Sequence, residues 1–189
     1  MTGEPFRSRR FVAVTPGARP RRTRSAVRVL VTDGERLLLF ADTDPGLPGS
    51  RWWVTPGGGI DAGETPHQAA VRELAEETGL AVAAEALVGP IMTRTVVHGY
   101  SDQVLLQDEA FFVLRVPAPF ALDVSGHTPD EQLTLDGHAW HRLDELASLA
   151  EPVWPSGVAA LLRLVERPGD WPLAHGSVEE STVPVSPPG

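Results

Sequence analysis

The chain has 189 residues, of which 42% are hydrophobic and 22% charged, and it carries a formal net charge of −9. That size suits one globular domain plus tails, with enough apolar residues for a sizeable core. No apolar run approaches the roughly 18 residues of a membrane span and the arginine-rich start lacks the apolar segment of a signal peptide, so a soluble cytoplasmic protein without a membrane partner is expected. The absence of cysteine excludes disulfides, thiolate metal sites and cysteine nucleophiles.

Charge is unevenly spread along the chain. Residues 1–28 hold eight arginines (Arg7, Arg9, Arg10, Arg19, Arg21, Arg22, Arg24 and Arg28) against Glu4, a local +7 that leaves −16 for the rest. Residues 1–24 read as a basic arm that is partly ordered at most, because Pro16, Gly17 and Pro20 break it. The arm has no interleaved aromatics on which bases would stack, so a nucleic-acid partner is not expected. Residues 25–32 and 36–40 flank Asp33-Gly34, a strong hairpin signal, and predict a paired β-hairpin. Pro45, Gly46, Pro48 and Gly49 make residues 42–51 a loop.

Residues 66–78 follow as a helix. Thr65 is its expected N-cap, Pro66 suits the first helical position, and Gln68 closes a capping box with Thr65. Gly79 can take the left-handed conformation that ends helices. At 100° per residue Glu73, Glu76 and Glu77 share one face, while Ala70, Val71 and Leu74 share the next. One stripe is acidic and the other packs. Carboxylates crowded on one turn repel, and Arg72, which can reach Glu76, is a single compensating cation. A hard divalent cation suits such a set of oxygens.

Beyond the helix, residues 85–88, 91–97 and 109–116 read as strands, the last an apolar run suited to burial on both faces. A polar loop runs from about 117 to 137. Residues 138–142 read as a short strand, 144–149 as a short helix, and 156–165 as a helix capped by Ser156. Residues 176–189, rich in proline, read as a disordered tail.

The spacing in residues 58–80 carries the functional signal. Gly58, Glu64, Arg72, Glu73, Glu76, Glu77 and Gly79, with aliphatic Leu74 and Leu80, fill every position of the pattern Gx5Ex7REUxEExGU, in which U is aliphatic. At background usages of roughly 5 to 7% per fixed residue, a chance match is about a one-in-a-billion event per starting position, which sets aside the reading of a merely solvated acidic face. The segment is similar to the box of the Nudix family, and residues 52–57 resemble the strand and turn that precede it there.

The resemblance implies an α/β fold, an α/β/α sandwich with a mixed β-sheet, over residues 25–175. It implies an enzyme that hydrolyses a diphosphate linkage in a nucleoside diphosphate derivative or a nucleoside triphosphate, with Mg²⁺ or Mn²⁺ as cofactor. Glu73, Glu76 and Glu77 would be metal ligands, joined by a backbone carbonyl of Gly57 or Gly58, while Glu64 and Arg72 would support the loop and orient the carboxylates. The catalytic base would be Glu73 or Glu77 in the box, or Glu131 or Glu109 outside it. Glu131 is preferred over Glu109, because loops at this stage of a fold overhang sites. Arg51, Trp53, Arg94 and Tyr100 are candidates to clamp phosphates or stack a base. Alternatives are a nucleotide-sensing module whose basic arm meets nucleic acid or protein, and an RNA 5′-pyrophosphohydrolase. A homodimer pairing residues 11–14 is a further possibility.

Overall fold

The computed structural model describes residues 9–185. Its centre is a mixed sheet built from β1 (Arg21–Thr32), β2 (Arg36–Asp42), β3 (Trp52–Val54), β4 (Leu87–Gly99), β5 (Val104–Arg115), β6 (Leu135–Arg142), β7 (Val153–Trp154) and β8 (Leu173–Glu179). The strand order is β7-β3-β2-β1-β5-β4-β8, and β6 pairs with the free side of β2. Parallel pairs β1–β5, β3–β7 and β4–β8 are mixed with antiparallel ones.

The apolar run of β5 is buried on both faces, which explains its composition. Phe111 and Val113 join Leu30, Leu37 and Leu39 in one core cluster, whereas Phe112 and Leu114 turn to the other, with Val27, Val29, Ala70 and Leu74. Helix α1 (Pro66–Thr78) covers the second cluster. Helix α3 (Val158–Leu161) and the 3₁₀ turn Leu162–Glu166 supply Val158 and Leu164 to the first. Helices thus lie on both faces of the sheet, as an α/β/α sandwich requires. No helix among the described residues is long and apolar enough to cross a membrane.

The hairpin expectation holds for the turn but not for the pairing. Asp33 caps the turn through Oδ1, yet β1 and β2 share a single register pair, Thr32↔Leu37. The loop before α1 takes the place of β2: Val29 N–H donates to the Pro56 carbonyl (2.8 Å), Val27 N–H to that of Gly58 (2.9 Å), and Ile60 N–H to that of Ser25 (3.0 Å). On its other side β1 runs parallel to β5 over its full length. The splayed hairpin therefore fixes the loop that leads into the acidic helix.

Other expectations are corrected. Residues 85–88 and 91–97 are a 3₁₀ turn followed by one strand, β4, with an irregular register between Val88 and Met92. Residues 144–149 give only the 3₁₀ turn Leu146–Ser148. Ser156 does not cap a helix, because its amide and hydroxyl both donate to Glu180 Oε1 (2.8 and 3.0 Å) and Gly157 stands at the cap. The polar loop contains a six-residue helix, α2 (Pro129–Thr134).

The C-terminal end is more ordered than expected, and part of the basic arm is ordered. Residues 176–185 are no disordered tail: β8 extends the sheet beside β4, and the Glu180 carboxylate is buried against Arg94 at 2.7 Å. In the basic arm Arg9 pairs with Asp102 (2.6 Å), Phe11 is buried, and Arg19 donates to the carbonyls of Tyr100, Val183 and Pro184. Residues 11–14 form no strand. The remainder of both expectations, residues 1–8 and 186–189, lies outside the described residues.

Candidate functional site

Helix α1 starts and ends as its residues dictate. The Thr65 hydroxyl accepts from Gln68 N–H, the Gln68 side chain accepts from Thr65 N–H, and Gly79 closes the helix in the left-handed conformation at φ 72°. Leu74 is fully buried beneath the sheet face, which orients the acidic stripe toward the 56–59 loop.

Arg72 is the brace of this stripe. Its Nε and Nη2 donate to Glu64 (2.9 and 2.8 Å), its Nη1 to Glu73 (2.8 Å) and Glu76 (3.2 Å), and Nη2 also to the Gly59 carbonyl (2.8 Å). Hydrogen bonding to Glu64 raises the Arg72 pKa, and the same contact lowers that of Glu64. The guanidinium is thereby used up. Glu77, 6% exposed, has the Gly57 amide as a donor at 2.7 Å, and among the described residues no arginine pairs with it. Burial and the neighbouring Glu73 push its pKa well above the usual carboxylate range; burial likewise raises that of Glu73.

Two glycines let the loop approach these carboxylates. Gly57 sits at φ 131°, where a side chain would be driven into the Val27 carbonyl, and a Cβ on Gly58 would stand 2.6 Å from Glu73 Oε1. The Gly58 carbonyl is committed to Val27, while the Gly57 carbonyl accepts one long bond (3.3 Å) from Arg28 Nη1. Of the two, Gly57 is the freer ligand.

Glu131, from the far loop, joins this cluster. Carboxylate oxygens of Glu73, Glu77 and Glu131 all lie within 4.8 Å of one another. Glu131 Oε2 accepts from Thr128 N–H at 2.6 Å in a second capping box. The residues Thr128-Pro129-Asp130-Glu131 carry that signature, so the short helix was detectable from sequence. Three crowded carboxylates, two of them buried with raised pKa values, together with the weakly engaged Gly57 carbonyl, form an oxygen donor set that fits a hard divalent cation. Glu76, at the rim, is tied to Arg72 and is not part of the three-residue cluster.

Glu109 is not part of that cluster and is otherwise occupied. It is 2% exposed in mid-β5, bonded to Arg28 (2.8 Å), Arg94 (2.7 Å) and Gln107 (2.7 Å). Burial alone would raise its pKa, but the two guanidiniums hold it down to about 2. Arg94 is itself buried between Glu109 and Glu180. Trp53 packs in the core, edge-on to His141, and Tyr100 lies against Trp52 and His98. Arg51 stacks on Trp53, pairs with Glu151 (2.8 Å) and Asp136 (3.3 Å), and lines an open cavity of about 450 Å³ with Trp52 and Trp154.

The NUDIX domain family model matches residues 22–164. A 51-residue segment is 49% identical to an RNA pyrophosphohydrolase of Brucella ovis, covering 27% of this chain and 28% of that one. A 67-residue segment is 37% identical to a putative 8-oxo-dGTP diphosphatase of Bacillus subtilis, covering 35% and 42%. The matches therefore span less than half the length of either relative. A crystal structure of the MutT protein from Bacillus halodurans superposes with a TM-score of 0.57 at 20% identity, over 84% of this chain and 91% of that one, a likeness of fold.

Proposed function

The chain belongs to the Nudix family, and from that premise we propose that it hydrolyses a diphosphate linkage in a small nucleotide, using Mg²⁺ or Mn²⁺. The observation that carries this reading is the Glu73, Glu77 and Glu131 cluster, two buried carboxylates and one half-buried one that no arginine among the described residues neutralises in full. The substrate is a nucleoside triphosphate or a nucleoside diphosphate derivative.

Glu73, Glu77 and the Gly57 carbonyl would hold the cation, with Glu76 at the rim. A bound divalent cation neutralises the diphosphate oxygens and acidifies water. In the reaction a water oxygen bonds to one phosphorus, the bond from that phosphorus to the bridging oxygen breaks, and the water gives up its proton. We assign that proton to Glu131, since the cluster sets its carboxylate beside Glu73 and Glu77, whereas Glu109 is spent on two guanidiniums. Arg72 keeps Glu73 and Glu76 in place and makes no ion pair with Glu77. Arg51, which lines a cavity that none of the three glutamates lines, is assigned to the part of the substrate away from the reacting phosphorus.

The local identity to an RNA pyrophosphohydrolase favours a second reading, the same cleavage at a triphosphorylated RNA 5′ end. A panel of nucleoside triphosphates, nucleoside diphosphate sugars and 5′-triphosphorylated RNA, scored for phosphate and pyrophosphate release with Mg²⁺ or Mn²⁺, tests both. Release from free nucleotides that Glu76→Gln reduces supports the first reading. Faster turnover of RNA that falls on deleting residues 1–24 supports the second. No turnover of any compound would overturn the enzyme reading.

A further inference from the structure

The loop that delivers Glu131 is docked on the end of the helix that carries Glu73 and Glu77. The last carbonyls of a helix have no partner within it and must find one outside. Here the Ala75 carbonyl is met by Gly79 N–H (3.1 Å), but the next partners come from the loop: Asp123 N–H donates to the Thr78 carbonyl (3.0 Å) and His127 Nε2–H to that of Glu77 (3.1 Å). Between these contacts Gly126 lies so close to the Glu76 backbone that a Cβ there would collide with the Glu76 carbonyl oxygen and stand 3.0 Å from its Cα.

His127 is held on both sides. Its ring meets Phe40 edge-on at 5.8 Å, its carbonyl accepts from Gln132 Nε2 (2.9 Å), and the next residue, Thr128, begins the capping box that fixes Glu131. A continuous path therefore runs from the Glu77 backbone through His127 and Thr128 to the Glu131 carboxylate. The path closes on the Glu77 carboxylate itself, within 4.8 Å of that of Glu131.

We infer that His127, seated by the absence of a side chain at Gly126, is a positioning residue that locks the Glu131 loop onto the metal-bearing helix and so completes the three-carboxylate cluster. The inference rests on the proposed reading of that cluster as a cation site. Docking and cation binding are then linked: whatever frees the loop removes one carboxylate from the cluster, and a bound cation holds the loop down.

Mn²⁺ alone, titrated by electron paramagnetic resonance against the full chain, tests this. Wild type binds, and Glu131→Gln weakens binding about tenfold, the usual lower bound for a lost supporting carboxylate. His127→Ala and Gly126→Ala weaken it to a similar extent, and His127→Gln, which keeps an N–H donor, recovers most of the loss. The decisive arm is the double variant His127→Ala/Glu131→Gln, which binds no more weakly than Glu131→Gln alone, because both act through one group. Losses that add, or a His127→Ala protein that melts earlier with Mn²⁺ affinity unchanged, would overturn the inference and leave the cation site standing. If His127→Ala fails to fold, Gly126→Ala carries the same cycle. Wild type that binds no Mn²⁺ would overturn the cation site, and the inference with it.

Discussion

Two groups of glutamates lie in this molecule, and the protein treats them in opposite ways. Around Glu109 and Glu180, carboxylates alternate with Arg28 and Arg94, and every charge finds a partner between 2.7 and 2.9 Å. Around Glu73, Glu77 and Glu131, Arg72 is the one arginine among the described residues that pairs with the cluster, at its edge through Glu73, and Glu77 has no ion pair. The pKa of Glu109 is held down to about 2, while that of Glu77 rises well above normal. Glu73 and Glu77 are buried nearly as deeply as Glu109 and Glu180. The difference lies in supplied countercharge, which is complete in the Glu109 and Glu180 network and incomplete in the cluster that is proposed to take a cation.

The sharpest break in this comparison is Glu109→Ala. It takes from Arg28 its carboxylate partner and leaves Arg94 only Glu180, and should cost about 3 to 5 kcal/mol in denaturant unfolding. A cost below 1 kcal/mol would show that the network is solvated and that the contrast fails. Leu74→Ala, by opening a cavity beneath the acidic stripe, should cost about 2 to 5 kcal/mol and lower turnover only as far as it unfolds the chain.

Acid should dissolve the paired region in two stages. Burial lowers the His98 pKa to about 4, so the neutral ring contributes stability that is complete above its unfolded value near 6.5 and is lost as pH falls toward 4. Glu109, held at about 2 against 4.5 unfolded, contributes stability that is complete above 4.5 and is lost as pH falls toward 2. Each stage is worth roughly 3 kcal/mol. Unfolding free energy measured from pH 7 to 3 in His98→Gln should lack the first decline and retain the start of the second. A single decline, unchanged in that variant, would assign acid sensitivity elsewhere.

The unpaired region was the more legible of the two from sequence. Helix α1, its caps and its two faces follow from spacing over a few residues, and the structure reproduces its limits at Pro66 and Thr78. Local chemistry also marked the Asp33-Gly34 turn, but not that β1 would take its partner from β5, some 80 residues away. The same blindness to distant partners hid β8: its residues are mostly exposed and carry no apolar run, and only the pairing with β4 and the Arg94 contact order them. Ser156 looked like a cap until Glu180, from that unread segment, claimed its hydroxyl. Glu131 was chosen for its place in a long loop. Its capping box was readable, whereas the approach to Glu73 and Glu77 depends on how Gly126 and His127 meet the helix end.

The central claim is that charge is withheld around Glu77 for a divalent cation and its substrate, and Glu77→Gln tests it most directly. Replacing a buried carboxylate that has no ion pair by a neutral amide should leave melting in chelator at or above that of wild type, while Mg²⁺ raises the melting temperature of wild type alone and metal-dependent release of phosphate or pyrophosphate disappears. A Glu77→Gln protein that unfolds, or that keeps both the Mg²⁺ shift and the turnover, would contradict the account.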